Sequence, residues 1–407
     1  MNEKIQKNSR WLILAAAVIA IHLIIAVAIR GCSGADSNIK DDKKEAVSGE
    51  SPGFFERLFS GKKEKPAAEK EKKADKPQEP EPEKKKTVLI YRKAPDDVPG
   101  FGTPFDFSTA KHGDLPGYYA PGSRGAKSGI VVDLSTRKVL WEKNCRLKTG
   151  TASMAKLMTL LLFMEYIDAN EELTLDTETI VPKGVMNVPR TGVVYLAPGE
   201  KFKFSDIVKA ASIKSANDAA EMLALTVAQD SKSFAALMNK RALELGMNST
   251  NFINAHGLTE KNKDGKYVFP TSTVQDMVIL GEKLLAYPVL MEYFSTQQSS
   301  LRVHKPLVYT NTNKLVNPRY PGVDGMKTGF TRAAGFCLVF SAKRNGKRIM
   351  GCVTGFKSRV DRDRFCRKLV DWAFEPEKKI AVQKKSQAPG KRKSAVSSSK
   401  SRKSRKR

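Results

Sequence analysis

Thr151-Ala152-Ser153-Met154-Ala155-Lys156-Leu157-Met158-Thr159-Leu160-Leu161-Leu162-Phe163-Met164-Glu165-Tyr166 is an unbroken run, apolar on almost every side. A helix that is hydrophobic all round belongs inside a core, so this stretch predicts a buried central helix. Two polar side chains stand at its head. Ser153 and Lys156 are three residues apart and share one face. A lysine placed there is costly to keep charged. Burial and nearby cations lower its pKa, and the neutral amine can then take a proton from the serine hydroxyl. The free backbone N–H groups of the helix N-terminus suit a developing negative charge. The alternative is a surface lysine on an ordinary helix, but Met154, Leu157, Met158 and Leu160 to Leu162 leave little polar face for it.

Strands surround this helix in the sequence. Gly129-Ile130-Val131-Val132-Asp133-Leu134 and Val139-Leu140-Trp141-Glu142, joined by Ser135-Thr136-Arg137-Lys138, read as a hairpin. Gly335 to Ala342 and Arg348 to Gly355 read as two stronger strands, with Asn345-Gly346 as a tight turn between them. Phe204 to Ala210 begins a second helix with Ser205 as its expected N-cap. Arg362 to Phe374 gives a last helix that puts Phe365, Leu369, Val370 and Trp372 on the sheet. Helices between strands that pair as antiparallel neighbours predict an α+β fold, with helices flanking an antiparallel sheet.

Two further strings carry chemistry. Ser215-Ala216-Asn217 falls at an expected break between helical runs. There Ser215 can bridge the lysines and a leaving group, and the Asn217 amide can bind a substrate carbonyl. Taken alone, Ser-Ala-Asn-Asp reads as a helix cap rather than a site. Lys327-Thr328-Gly329 precedes the strong hairpin and is expected on a strand facing Ser153. Lys327 and Thr328 supply a cation and a hydroxyl for a carboxylate, and Gly329 lets a substrate approach the backbone. S-x-x-K, S-x-N and K-T-G in this order mark enzymes that acylate a serine with a lysine as proton carrier. His256, in Asn254-Ala255-His256-Gly257-Leu258, reads as a residue that holds a loop.

The chain has 407 residues, a formal charge of +28 and a hydrophobic fraction of 41%, but that average joins unlike regions. Residues 11–29 carry no Asp, Glu, Lys or Arg and follow Lys4, Lys7 and Arg10. They predict a single membrane-spanning anchor over 1–32, with the N-terminus in the cytoplasm and the rest outside. A cleaved signal peptide is the rival reading. Gly31-Cys32 has the look of a lipoprotein processing site, which Arg30 fits badly. Residues 33–86 are rich in Lys, Glu, Pro and Ala and predict a disordered tether. As a random coil it spans on the order of 40 Å. The folded unit is expected over 87–376, although its Gly- and Pro-rich start, 93–128, has no clear place in it.

The tail, 377–407, holds thirteen Lys or Arg and one acidic residue, Glu377. It looks like a nucleic-acid tail. An anchored domain outside the membrane makes anionic lipid or envelope polymers the expected partners instead, and a solvated tail is the plain alternative. Cys32, Cys145, Cys337, Cys352 and Cys366 and the four scattered histidines form no metal-site spacing. Cys337 and Cys352 read as buried thiols, and no disulfide pairing follows from the sequence.

Over roughly 95–376 the chain resembles the D-alanyl-D-alanine carboxypeptidases, the low-molecular-mass penicillin-binding proteins. The likeness rests on the three motifs, on Ser-Ala-Asn-Asp-Ala-Ala running into a helix, on Asn254 to Leu258, on Asn311-Thr312-Asn313-Lys314-Leu315 and on Gly325 to Thr331. It implies a β-lactamase/transpeptidase-like fold and a penicillin-sensitive serine enzyme that trims the terminal D-alanine from peptidoglycan stem pentapeptides, without metal or cofactor. In that picture Ser153 attacks, Lys156 takes its proton and Ser215 relays a proton to the leaving group. The N–H groups of Ser153 and Phe330 form the oxyanion hole, Asn217 binds substrate, and Lys327, Thr328 and Arg362 hold the carboxylate. Many family members carry a second, β-rich domain and a C-terminal anchor. Here a basic tail follows, and the N-terminal helix is expected to anchor the catalytic domain on the extracytoplasmic side.

Three rivals stand beside this reading. A D,D-endopeptidase would use the same residues on cross-links. A class A β-lactamase needs a separate glutamate, for which Glu244, Glu260 and Glu282 are weak candidates. A non-catalytic envelope-binding protein would leave the catalytic groups without a use.

Overall fold

The computed structural model describes residues 95–375 except 97, 114, 116–119 and 317–319. The expected anchor, tether and basic tail lie outside the described residues. Among the described residues no helix is long and apolar enough to cross a membrane.

A six-stranded sheet organises the domain. Its strands are β1 (Lys111–His112), β2 (Ser128–Asp133), β3 (Val139–Lys143), β4 (Val323–Thr331), β5 (Gly335–Arg344) and β6 (Lys347–Phe356), in the spatial order β1-β3-β2-β6-β5-β4. Every pair is antiparallel except β1 with β3, which runs parallel at the edge. The expected antiparallel sheet thus gains one parallel edge. It comes from the stretch that the sequence left unplaced. Asp106 starts the pairing, with Asp106 N–H donating to the Arg137 carbonyl at 2.8 Å and Val139 N–H donating to the Asp106 carbonyl at 2.7 Å. The same stretch buries Val98 and packs Phe101, Phe105 and Phe107 on the core.

Both expected hairpins form. Asn345 and Gly346 have φ of 49° and 76°, the left-handed pair that a two-residue turn between twisted strands requires. Period-two alternation splits the strands between two cores. Ile130, Val132, Val339 and Cys352 face one, and Val131, Leu338, Phe340 and Val353 face the other.

Among the described residues, the α-helices of more than one turn are α1 (Lys156–Asp168), α2 (Phe204–Lys209), α3 (Asn217–Val227), α4 (Ser231–Glu244), α5 (Val274–Leu284), α6 (Pro288–Ser295) and α7 (Arg359–Phe374). The first core holds α1, buried at nearly every position as its all-round apolar sequence requires. The second core lies under α7, which brings Phe365, Leu369, Val370 and Trp372 to the sheet. α7 starts at Arg359, earlier than expected, because Ser358 caps it by accepting from Val360 N–H and Asp361 N–H. Ser205 is not a cap: it lies inside α2, whose N-cap position is Lys203. Cys145, Cys337, Cys352 and Cys366 are buried free thiols.

Candidate active site

Ser153 lies on a 3₁₀ turn, Ala152–Ala155, that leads into α1 at Lys156. Three residues per turn stack positions i and i+3, which sets the lysine directly beside the serine. Lys156 Nζ is 3.0 Å from Ser153 Oγ, 2.7 Å from Asn217 Oδ1 and 2.7 Å from the His256 carbonyl oxygen. Lys156 is fully buried. A neutral amine has two N–H groups and one lone pair. It can donate to the Asn217 and His256 oxygens and accept the Ser153 hydroxyl proton. Burial pushes the Lys156 pKa well down, the Lys327 charge adds to the shift, and Asp218 opposes it.

Lys327 is equally buried, in the middle of β4. Burial first, then the Arg362 charge, lowers its pKa to about 7. Its Nζ donates to the Thr328 carbonyl at 3.1 Å, and Thr328 Oγ1 donates to Thr312 Oγ1 at 2.8 Å. His256 is a loop holder, as the sequence suggested: it gives its carbonyl to Lys156, and Leu258 N–H donates to its Nδ1 at 3.3 Å. Its own pKa is pushed down to about 3 by burial and by Lys156.

The expected helical break is present. A π-helical turn, Ala210–Lys214, ends at Ser215, which takes a left-handed φ of 65°. Ser215 lines the same cleft as Ser153, Asn217, Thr328 and Phe330, and the space they enclose is about 390 Å³. The Ser215 hydroxyl has no hydrogen-bond partner among the described residues.

Asn217 is tied into the protein at both ends of its amide. Oδ1 accepts from Lys156, and Nδ2 donates to the Thr191 carbonyl at 2.6 Å. Expected to bind a substrate carbonyl, it is placed to hold the lysine and the loop at Thr191. Phe330 is 56% exposed at the cleft and its ring stacks on Phe336 at 4.1 Å.

Two further expected roles change. A Cβ on Gly329 would lie 2.9 Å from the Thr151 carbonyl oxygen and 3.1 Å from Ala152 Cβ. The absent side chain is required for β4 to pack against the Ser153 turn, before any substrate is considered. Arg362 lines the cleft, but its guanidinium is buried and engaged: Nη1 donates to the Cys337 carbonyl at 2.9 Å, while Nε and Nη2 donate to Asp363 Oδ1 at 2.9 and 2.6 Å. Exposed cations also line the cleft: Lys314 and, one turn earlier on α7, Arg359. Sequence reading missed Arg359 because the start of α7 was placed too late. It also missed Thr312, Thr191 and the Gly257 contact behind Ser153.

None of the three glutamates weighed for deacylation reaches the cleft. Glu282 pairs with Arg137, Glu244 with Arg241, and Glu260 accepts from Asn254. Among the described residues no group of three His, Cys, Asp or Glu side chains could hold a metal ion.

A penicillin-binding-protein fold that sets a buried lysine beside a helix-head serine defines a class, and comparison with known proteins gives its family. Residues 118–358 match the Peptidase_S11 family, D-alanyl-D-alanine carboxypeptidase, and the chain belongs to that family. It is 34% identical over 269 residues to the D-alanyl-D-alanine carboxypeptidase DacF of Bacillus subtilis, covering 65% of this chain and 66% of that protein. It is 31% identical over 227 residues to a D-alanyl-D-alanine endopeptidase of Escherichia coli, covering 54% and 68%. Among solved structures, penicillin-binding protein D2 of Listeria monocytogenes in its cefotaxime-bound form superposes with a TM-score of 0.54 at 31% identity, over 62% of this chain and 98% of that one. The chain spans 66% and 61% of the lengths of DacF and of the Escherichia coli carboxypeptidase DacC.

Proposed function

We propose that this protein is a serine D,D-carboxypeptidase that releases the terminal D-alanine of peptidoglycan stem pentapeptides and is acylated by β-lactams. The observation that carries this reading is the 3.0 Å approach of Lys156 Nζ to Ser153 Oγ, at a lysine whose pKa is pushed well down by burial and then by Lys327. Ser153 Oγ attacks the carbonyl of the penultimate D-alanine as its proton passes to Lys156. The backbone N–H groups of Ser153 and Phe330 face the resulting oxyanion. The peptide C–N bond breaks, and the departing D-alanine amine takes a proton relayed through Ser215. Water then hydrolyses the ester and restores Ser153. Lys327, Thr328 and the exposed Arg359 offer cations and a hydroxyl to the substrate's terminal carboxylate.

The endopeptidase relative keeps a second reading in view, in which the same serine opens cross-links between stem peptides. Mass analysis of products from a soluble pentapeptide and from a cross-linked dimer separates the two. Labelling by a fluorescent penicillin tests the shared chemistry: Ser153→Ala should abolish it, and labelling that survives would end the assignment. The uncharged run 11–29 with its preceding lysines and arginine supports an anchor that keeps the domain outside the cell membrane. The basic tail supports contact with anionic lipid or envelope polymers.

A further inference from the structure

Tyr195 has a left-handed φ of 57° and is 63% exposed. A bulky residue in that region is an outlier that glycine would relieve. Four hydrogen bonds enforce it. The Asp218 carboxylate, buried beneath the loop, accepts from Val194 N–H at 3.1 Å and from Leu196 N–H at 3.1 Å. The Arg302 guanidinium donates to the Val194 carbonyl at 3.2 Å and to the Tyr195 carbonyl at 2.7 Å. Glu200 in turn fixes Arg302, accepting at 2.9 and 2.8 Å. The backbone on both sides of Tyr195 is therefore clamped, and the ring is presented to solvent on a rigid support. Backbone outliers of this kind persist where the surroundings over-determine them, and they gather at functional sites.

The ring borders a cavity of about 140 Å³ that is also lined by Met186, Val188, Arg190, Val193 and Pro198. Met186 is itself 46% exposed. The same loop forms a wall of the catalytic cleft through Thr191 and Gly192. Asn217 holds that wall, its Nδ2 donating to the Thr191 carbonyl at 2.6 Å and its backbone N–H to the Gly192 carbonyl at 2.8 Å. The cavity and the cleft thus lie on one continuous segment, 190–196, tied to the S-x-N motif.

We propose that the cavity beside Tyr195 is a second substrate subsite, and that it takes a sugar ring of the glycan strand to which the stem peptide is attached. An exposed aromatic face on a rigid backbone suits the apolar face of a pyranose. The small apolar floor of Val188 and Val193 suits an acyl methyl group, and Arg190 meets oxygen substituents at the rim. The proposal rests on the carboxypeptidase reading of the neighbouring cleft, and it adds preference for polymer over free peptide.

The test compares D-alanine release from a free pentapeptide with release from uncross-linked glycan oligomers that carry the same pentapeptide. Tyr195→Ala and Tyr195→Gly should lower the ratio of kcat/KM for oligomer to that for peptide on the order of 5-fold, and Tyr195→Phe should keep it. Tyr195→Gly should unfold at a temperature no lower than the wild type, which separates loss of the ring from loss of the fold. Calorimetric binding of peptide-free glycan oligomers needs no turnover, and Tyr195→Gly should weaken it by a similar factor. An unchanged ratio in both variants overturns the subsite. Equal loss on a sugar-free cross-linked peptide dimer overturns the sugar as its occupant. A wild type that releases no D-alanine from the free pentapeptide would instead defeat the reading of the cleft, and the calorimetric arm would still decide the subsite.

Discussion

Gly257→Ala should disable the nucleophile from behind. Gly257 has φ +85°, and a Cβ built there would lie 1.9 Å from the Ala152 carbonyl oxygen, 2.4 Å from the Ala152 carbonyl carbon and 3.0 Å from the Ser153 backbone nitrogen. All three are backbone atoms of the Ser153 turn, so no side-chain rotation can relieve the clash. Opening the 1.9 Å contact to even 3.0 Å moves one segment by about 1 Å. The left-handed backbone costs alanine about 1 kcal/mol, and the overlap adds about 1–3 kcal/mol. Together these lower the midpoint of thermal unfolding by about 5–15 °C for a domain of this size. A displacement of about 1 Å at the reacting serine also costs on the order of 100-fold in rate. The neighbouring His256 carbonyl, which holds Lys156, moves with it.

The assay is the second-order rate of acylation by a fluorescent penicillin, measured beside thermal unfolding. Gly246→Ala is the control. It has φ +77° and nothing within 4 Å of an added Cβ, so it should lose about 1 kcal/mol of stability and none of its acylation rate. A Gly257→Ala protein acylated within about threefold of the wild type would refute the close approach and the positioning drawn from it. So would a Gly246→Ala protein that lost acylation as severely.

Two further outcomes follow from the cations of the cleft. Lys327→Met removes a like charge from the surroundings of Lys156, so the Lys156 pKa rises and the acidic limb of the acylation profile moves to higher pH. The effect belongs below pH about 7, where Lys327 is protonated, and a limb that stays still or moves to lower pH would contradict it. Arg359→Ala should lower kcat/KM for a pentapeptide about tenfold or more with little change in melting temperature. Arg362→Ala should instead destabilise by about 3–5 kcal/mol, because it strips the partner from Asp363 and from the buried Cys337 carbonyl. Activity and melting measurements on both variants check this division of roles, and it fails if the two effects are exchanged.

How much of this was legible in the sequence depends on the range of the interactions. Local patterns read correctly: the apolar run of α1, the Asn345-Gly346 turn and the Ser153–Lys156 spacing each report interactions within a few residues. The α7 boundary slipped by three residues because a serine cap is a weaker signal than the apolar stripe behind it, which left Arg359 outside the expected helix, while the carboxylate role of Arg362 came from the family resemblance. The rest was long-range. Gly257 looks like an ordinary glycine, and Gly329 like one kept for substrate approach, until β4 and the 257 loop close on the Ser153 turn from two sides. Asp218 reads as a helix-cap neighbour of Asn217, and only the folded chain shows its carboxylate beneath Val194 and Leu196. The edge strand β1 was invisible because two residues carry no periodicity.

The cleft also has a sign. Lys214, Lys314, Arg359 and Arg362 line it, the buried Lys156 and Lys327 stand against Ser153 and Thr328, and Asp218 is turned toward backbone N–H groups. Burial first, then a neighbouring cation (Lys327 for Lys156, Arg362 for Lys327), pushes both lysine pKa values down. On the proposed reading, the incoming group is the carboxylate of a terminal D-alanine. A carboxylate beside Lys327 favours its charged form, and a protonated Lys327 then presses harder on Lys156 to stay neutral. Substrate binding would therefore reinforce the protonation state that the first step needs. On that reading Lys156 can serve as general base because the fold buries it and sets Lys327 nearby, which accounts for three motifs, distant in sequence, meeting at one buried amine.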